Sequence, residues 1–468
     1  IQPPLTPVFS PPVILVTGVS GFIGSHVAKL LLEEGYKVRG TVRSLSNEAK
    51  VEPLKNLVPE AKFPLELVEA DLTKEEGWDK AVEGCTGVLH VASPFPDLVN
   101  QQAEEAGLVD TAKDGTLQVL KAVAAHAAAS VKRVVVTSSF AAVFGEPAPD
   151  AEKTYTEEDW TDAESTTIDA YTKSKVVAEK AAWDFVKELP DDQKFELTVI
   201  NPTFVLGPPL LEAHKSATSV NFMAQIVNRA YPGVARVQFP ICDVRDVAKA
   251  HVKMVEVLGV EPTAIDCTVQ DMVYALVDLG IVRKAKKYKQ LCVWMKDIAL
   301  AASKEFKPQG YSIPTGQLPY FLCWVAGLFN KGMKNNILPR LGKQISASNK
   351  RMVEVLGVEP TAIDCTVQDM VYALVDLGIV RKAKKYKQVG SRAEVPAVNG
   401  EVEEDKKEGK EEEKAEEAEE KKELEPEDKE KKEGEEIKEE KSEAPKEESK
   451  EKEETGKEEK KDESEAEK

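Results

Sequence analysis

The sequence predicts an α/β fold built on a doubly wound parallel sheet, followed by a smaller C-terminal domain and a charged tail. Strand-like apolar runs alternate with helical segments, as parallel strands require, because each needs a crossover connection. A glycine-rich turn joins the first strand to the first helix, and the composition changes sharply after Gly390. These three observations carry the prediction.

The glycine-rich turn follows Val13 to Val16, an apolar run typical of a strand buried on both faces. Three glycines then recur at the spacing G-x-x-G-x-x-G, and Phe22 to Leu32 shows helical periodicity. Such glycines permit a tight turn, close approach to a pyrophosphate and close packing of helix on strand. The helix N-terminus adds unpaired N–H groups and a positive dipole end. The sequence therefore predicts a Rossmann-type dinucleotide site with contacts from Gly18, Ser20, Gly21, Phe22, Ile23 and Gly24.

The end of the second strand indicates which dinucleotide is bound. Tyr36 to Val42 is predicted as that strand, and an acid near its end would bind the adenosine ribose hydroxyls. Arg39 and Arg43 stand there instead. A guanidinium is planar, permanently charged and able to bind a phosphate bidentately. We therefore predict NADPH (NADP) as cofactor, with Arg43 on the 2′-phosphate.

Three further strands are predicted at Pro64 to Val68, Val88 to Val91 and Val131 to Thr137, with an alanine-rich helix over Leu117 to Ala129. Their carboxyl ends should meet at one edge of the sheet. The residues expected there against the cofactor are Asp71 and Leu72, near the adenine, and Val91, Ala92 and Ser93.

Tyr171 and Lys175 are spaced i, i+4, so on a helix they share one face. A phenol has a pKa near 10, and an adjacent ammonium and a cationic nicotinamide favour the phenolate, so we expect the pKa of Tyr171 to be lowered. Ser139 follows the fifth strand and is placed to hydrogen-bond the same substrate oxygen. The sequence thus predicts a catalytic trio of Ser139, Tyr171 and Lys175, the last two also contacting the cofactor.

These motifs resemble those of the extended short-chain dehydrogenases/reductases. More narrowly, the chain is similar to the group of dihydroflavonol reductase, cinnamoyl-CoA reductase and yeast methylglyoxal reductase. The segments that carry this likeness are Val136 to Ala142, Ile200 to Pro208, Asp243 to His251, Val293 to Ile298 and Phe306 to Tyr311. The resemblance covers residues 13–253 and 293–388, and residues 110–118 lack the asparagine that many members of the superfamily have there.

The resemblance implies an NADPH-dependent carbonyl reductase that acts on a small-molecule aldehyde or ketone. It places Pro202 and Thr203 beside the nicotinamide and assigns the C-terminal part to the substrate pocket. Two other hypotheses remain open. One is a nucleotide-sugar epimerase or dehydratase that keeps its NAD bound, against which Arg43 argues. The other is a non-catalytic NADP sensor or scaffold, which would not need Tyr171 and Lys175 together.

The predicted organisation is a proline-rich segment (1–12), a mainly NADP-binding domain (13–203), a mainly substrate-binding part (204–388) and a Glu/Lys-rich tail (389–468). Residues 401–468 hold 18 basic and 34 acidic side chains, a net charge of −16 within the total of −19, which leaves −3 for the rest. That balance argues against nucleic-acid binding. The tail is expected to be disordered or a solvated helix and is a candidate for binding a basic partner.

No targeting or membrane-spanning segment is recognised, and we expect a reduced, cytoplasmic protein without a metal site. The longest late apolar stretch, Leu318 to Phe329, is too short for a bilayer and is expected to form a buried helix.

One segment of 37 residues occurs twice without change, at 254–290 and 352–388. Each copy contains one amphipathic helix, Thr268 to Leu279 and Thr366 to Leu377. Only the later copy follows sequence that resembles the family. We therefore expect residues 352–380 to dock on the body, and 254–290 to be a helical excursion with fewer buried contacts.

Overall fold

The computed structural model describes residues 11–94, 101–146, 152–256, 292–329, 334 and 337–387, without the side chains of 101–106, 256 and 329. The predictions for the tail, for residues 1–10 and for most of the earlier copy (257–290) lie outside the described residues.

A six-stranded sheet forms the centre of the fold. The strands are β1 Val13–Thr17, β2 Lys37–Val42, β3 Glu66–Glu69, β4 Gly87–His90, β5 Arg133–Thr137, β6 Thr154–Tyr155, β7 Glu196–Ile200, β8 Phe204–Leu206, β9 Gln238–Asp243, β10 Cys292–Trp294 and β11 Ser346–Ala347. The central sheet has the order β3-β2-β1-β4-β5-β7, and all its neighbours are parallel. The predicted doubly wound parallel sheet is confirmed.

Helices cover both faces of this sheet. They are α1 Phe22–Glu33, α2 Glu48–Lys55, α3 Trp78–Val82, α4 Gln101–His126, α5 Phe140–Val143, α6 Ala170–Glu188, α7 Thr218–Val227, α8 Val244–Glu256, α9 Met295–Phe306, α10 Tyr320–Phe329, α11 Lys350–Glu354 and α12 Ile363–Asp376. Leu15 packs in the cluster with α4 and α6, whereas Ile14 and Val16 pack with α1 and α8. This alternation along β1 shows why the strand is apolar throughout.

Helix α4 begins at Gln101, well before the expected Leu117. Its first turns are rich in Gln, Glu and Ala, which favour helix without giving an apolar stripe, so periodicity missed them. Among the described residues, no helix combines the length and the apolarity needed to cross a membrane.

The later copy of the repeated segment docks on the body, as predicted. Its helix α12 buries Val367, Met370, Val371, Leu374 and Val375 in a cluster shared with α7 and α9. Spacings of three and four residues put these side chains on one face. The three-stranded sheet β10-β9-β8 lies in the same part of the fold.

Polar contacts fix α12 in position. Arg245 pairs with Asp243 and with Asp369 at 2.8 and 2.7 Å. The hydroxyl of Thr366 donates to Asp243 Oδ2 at 2.7 Å. The charge of Arg245 therefore joins the end of β9 to the docked helix.

Helix α10 forms as expected but is not buried. Of its residues from 320 to 328, Cys323 and Gly327 are the buried ones, and a Cβ on Gly327 would lie 2.6 Å from Leu338 Cδ1. Phe321 and Leu328 are 61% and 59% exposed. The expectation of a buried helix is wrong because, from 320 to 328, two small residues are buried and the large apolar side chains are exposed. A helix that is apolar all round has no periodicity that would indicate this.

Candidate active site

The turn between β1 and α1 forms a cradle of backbone. Gly18 has φ of 66°, and Gly21 N donates to Gly18 O at 2.9 Å. A Cβ on Gly24 would lie 2.4 Å from Gly18 O, and a Cβ on Gly18 would lie 3.0 Å from Ala92. These positions exclude side chains, so a pyrophosphate could approach the backbone at the N-terminus of α1. The geometry fits the dinucleotide expected there.

The other predicted residues of this turn differ in exposure. Ser20 and Ile23 are half-buried, whereas the ring of Phe22 is buried and contacts His214 edge-on, with ring centroids 5.7 Å apart. Phe22 thus connects the turn with the apolar cluster that also contains α7, α9 and α12.

Hydrogen bonds connect the ends of the neighbouring strands around the cradle. Gly18 N donates to Thr41 Oγ1 at 3.0 Å, and Ala92 N donates to Thr17 Oγ1 at 2.9 Å. Val91, Ala92 and Ser93 leave the end of β4, half-buried, beside the turn. Three of the predicted strand ends therefore meet at one edge.

The two arginines near the end of β2 have different surroundings. Arg39 donates to Glu66 Oε1 at 2.9 Å and to backbone carbonyls between 80 and 83. Arg43 is exposed, and its side chain has no hydrogen bond or salt bridge within the described part of the chain. Arg43, not Arg39, is therefore available to a phosphate.

Asp71 and Leu72 follow β3 on the same side of the sheet. A hydrogen bond from Thr73 N at 3.0 Å is the main cause that lowers the pKa of Asp71, and the charge of Arg43 adds to it. Leu72 packs against α4, where a Cβ on Gly115 would lie 2.8 Å from Leu72 Cβ. The structure thus brings Asp71 close to Arg43.

The predicted trio is assembled at the edge of β4 and β5. Lys175 Nζ donates to Ser93 Oγ at 2.9 Å and lies 5.6 Å from the centre of the Tyr171 ring. The hydroxyls of Tyr171 and Ser139 share a hydrogen bond. Ser139 caps α5, since its Oγ accepts from Ala141 N at 3.1 Å. A strand end and one helix face thus converge on one point.

Pro202 and Thr203 lie between β7 and β8, beside this point. Phe140 N donates to Pro202 O at 2.9 Å, which ties the residue after Ser139 to this loop. The hydroxyl of Thr203 is buried, and the thiol of Cys242 hydrogen-bonds with the side chain and the backbone of Thr203.

Burial governs the electrostatics of the trio. It raises the pKa of Tyr171, the hydrogen bond with Ser139 opposes the rise, and Asp169 adds to it. The lowering expected from the adjacent ammonium is not found, because burial is the largest influence on this pKa and raises it. Burial also lowers the pKa of Lys175 to about 8, against the opposing charge of Glu179. The phenol is protonated at neutral pH.

Two supporting residues were not predicted. Asn201 Nδ2 donates to Glu179 Oε2 at 2.8 Å and to Ser139 O at 3.3 Å. Glu179 is buried, and burial raises the pKa of its carboxyl group. Its position four residues after Lys175 puts it on the same helix face, which is a signal that the sequence offered. Asn201 and Glu179 together hold the Ser139 backbone against α6.

A small cavity lies beside Phe140, the residue after Ser139, on the side of the C-terminal part. It is lined by Phe140, Phe144, Gln238, Pro240, Arg340, Lys343 and Ile345. Within the described ranges, no group of three or more His, Cys, Asp or Glu side chains is arranged to bind a metal ion.

Comparison with known proteins agrees with this geometry. The model of the NAD dependent epimerase/dehydratase family matches residues 14–266. A cinnamoyl-CoA reductase of Medicago truncatula is 41% identical over 246 residues, which cover 51% of this chain and 71% of that protein. The NADPH-dependent methylglyoxal reductase of Saccharomyces cerevisiae is 38% identical over 256 residues, covering 51% of this chain and 72% of that protein.

A solved structure extends the likeness to a larger share of the chain. The crystal structure of yeast methylglyoxal/isovaleraldehyde reductase complexed with NADPH superposes with a TM-score of 0.57 at 30% identity. The alignment covers 79% of this chain and all (100%) of that chain. The resemblance drawn from the motifs is thereby confirmed.

Proposed function

Since the chain belongs to the NAD dependent epimerase/dehydratase family, we propose that it is an NADPH-dependent reductase that converts an aldehyde or ketone to an alcohol. The observation that carries this proposal is the convergence of Tyr171, Ser139 and Lys175 at the sheet edge beside the glycine cradle. The names of two similar proteins, a cinnamoyl-CoA reductase and an NADPH-dependent methylglyoxal reductase, support it.

The chain offers a contact for each part of the cofactor. The glycine cradle takes the pyrophosphate, Arg43 takes the 2′-phosphate, and Asp71 and Leu72 lie at the adenine end. At the other end, Lys175 holds the nicotinamide ribose. The remaining contacts near the nicotinamide come from Val91, Ala92, Ser93, Tyr171, Pro202 and Thr203.

NADPH supplies the hydride, which goes to the carbonyl carbon. Ser139 and Tyr171 both hydrogen-bond the carbonyl oxygen and so polarise it. As the oxygen gains negative charge, the Tyr171 hydroxyl gives it a proton, and the products are the alcohol and NADP⁺. Solvent then returns a proton to Tyr171.

The burial that raises the pKa of Tyr171 suits this direction of reaction, because the protonated phenol is the donor form. Lys175 below pH 8 carries a positive charge that stabilises the phenolate left behind. In the reverse direction the same residues would support hydride transfer from a CH–OH group to NADP⁺. The enzyme class is accordingly an oxidoreductase acting on the CH–OH group of donors.

The test is NADPH and NADH oxidation, followed at 340 nm, by the purified protein with aldehydes, ketones and flavonoid-like carbonyl compounds. We expect turnover with NADPH and much less with NADH. Protein that oxidises neither coenzyme with any carbonyl compound, yet converts a nucleotide sugar with bound NAD, would establish the epimerase alternative instead.

A further inference from the structure

Among its described lining residues, the cavity beside Phe140 has cationic side chains and no acidic one. Arg340 and Lys343 contribute to its lining, together with the rings of Phe140 and Phe144. The amide of Gln238 is already used, since its Oε1 accepts from Ile345 N at 2.8 Å and its Nε2 donates to Cys292 O. The polar groups left for a ligand are therefore positively charged.

The hydrogen-bond donors of Arg340 find few partners among the described residues. Its Nη2 donates to Glu146 O over a long 3.4 Å, and its Nε is buried without a hydrogen-bond partner among the described residues. Burial lowers the pKa of Arg340, and Asp169 opposes this. A buried donor left unpaired is destabilising, and more so when it is charged.

The two nearby carboxylates are engaged elsewhere. Glu146 Oε2 accepts from the hydroxyls of Ser165 and Thr167. Asp169 Oδ1 accepts from Thr172 N at 2.8 Å, which caps α6. Neither carboxylate forms a salt bridge with Arg340 in the part of the chain that the structure describes.

The charge of Asp169 acts on both Arg340 and Tyr171, so the cavity that Arg340 lines lies near the reacting atoms. Phe140 follows Ser139 directly, and Asp169 caps the helix that carries Tyr171. A Cβ on Gly145 would lie 2.1 Å from Thr172 Cγ2, so the segment from α5 to Glu146 wraps closely around the start of α6. A substrate whose carbonyl oxygen contacts Tyr171 and Ser139 can therefore extend toward Arg340.

We propose that Arg340, assisted by Lys343, binds a carboxylate of the substrate, so that the preferred substrates are aldehydes or ketones that also carry a carboxylate. The proposal rests on the proposed function. A guanidinium presents several N–H donors in one plane and binds a carboxylate bidentately. Phe140 and Phe144 contact the apolar part of the molecule between its carbonyl group and its carboxylate.

The test compares 4-carboxybenzaldehyde with methyl 4-formylbenzoate, which keeps the ring and the aldehyde but has no charge. The unmodified protein should show a kcat/KM about 10- to 100-fold higher for the carboxylate, as expected for charge-assisted hydrogen bonds. Arg340→Gln should remove most of that preference by raising KM for the carboxylate, with kcat/KM for the ester nearly unchanged. Lys343→Gln should reduce the preference less.

Arg351→Gln is the matched control, because Arg351 is a half-exposed arginine that pairs with Glu158 on the surface. It should leave both kcat/KM values unchanged. If Arg340→Gln does not fold, competitive inhibition of the unmodified protein tests the proposal instead. Benzoate should compete with the aldehyde more strongly than benzyl alcohol does.

Three results would overturn the proposal: equal kcat/KM for the two aldehydes, an equal loss on both in Arg340→Gln, or no competition by benzoate. Reduction of the ester without any preference would reject the carboxylate subsite and leave the proposed function standing. Failure to reduce either aldehyde, or any other carbonyl compound, would reject the proposed function itself.

Discussion

The proposed cofactor side of the site and its proposed substrate side are assembled from the chain in different ways. On the cofactor side, one turn from Gly18 to Gly24 forms the phosphate cradle, and successive strand ends complete it. On the substrate side, Arg340 contacts the carbonyl of Glu146 across 194 residues of sequence. On this proposal, short motifs determine which cofactor binds, whereas contacts between distant segments determine which carbonyl compound is preferred.

The largest effect is expected where the two sides meet, at Tyr171. Tyr171→Phe should lower kcat by about 10²- to 10⁴-fold, because the general acid is lost, and should leave the Kd for NADPH nearly unchanged. Stopped-flow kinetics and fluorescence titration with NADPH measure the two quantities. Tyr386→Phe is the control, since that hydroxyl binds Asp376 away from the site. Near-normal kcat in Tyr171→Phe would favour a sensor.

The substrate side depends on the docked copy of the repeated segment. Met370 is fully buried, and its Sδ accepts from Gly207 N at 3.4 Å. Met370→Ala should lower the free energy of unfolding by about 2–5 kcal/mol, measured by urea denaturation. Met272 holds the same position in the earlier copy, so Met272→Ala is a control with identical neighbours in sequence. We expect a smaller effect at Met272, and equal losses would contradict the assignment of the docking site to the later copy.

On the cofactor side, Arg43 should set the choice of coenzyme. NADPH should bind more tightly than NADH by about 2–3 kcal/mol, and Arg43→Asp should abolish or reverse this difference. The Kd values for both coenzymes give the answer. Arg39→Gln, which disrupts a network inside the protein, should lower stability and keep the coenzyme preference. The assignment of Arg43 fails if the unmodified protein binds both coenzymes equally.

The smallest effect concerns the shape of the cradle. Gly24→Ala would place a Cβ 2.4 Å from Gly18 O, so the turn must shift at a cost of about 1–3 kcal/mol, seen as weaker NADPH binding and a lower Tm. Gly107 also lies in a helix, but a Cβ there meets nothing within 4 Å. Gly107→Ala should therefore be neutral or stabilise the protein by up to about 1 kcal/mol. Tolerance of both substitutions would show that the turn is not a close-packed cradle.

Much of the cofactor side could be predicted from the sequence because its determinants are local. The spacing of Gly18, Gly21 and Gly24 and the pair Tyr171 and Lys175 each lie within one turn or helix. The direction of the pKa change at Tyr171 could not be predicted, since it depends on burial by residues from elsewhere in the chain.

The substrate side shows the limit of local patterns more plainly. Helices α10 and α12 are both apolar, yet Phe321 is exposed and Val371 is fully buried. Composition predicts that each helix forms. Whether other residues cover the helix depends on segments that are distant in sequence. Arg340 likewise has an ordinary sequence context, and only its surroundings in the fold make it a candidate ligand for a carboxylate.

The central claim is that hydride passes from NADPH to a carbonyl carbon in this site. The most direct measurement uses NADPH deuterated at the transferable C4 position with an accepted aldehyde, followed by mass spectrometry of the alcohol. We predict one deuterium per alcohol molecule, on the former carbonyl carbon, and one NADP⁺ formed for each. Alcohol without deuterium, or NADPH that stays unoxidised while the substrate is converted, would contradict the account.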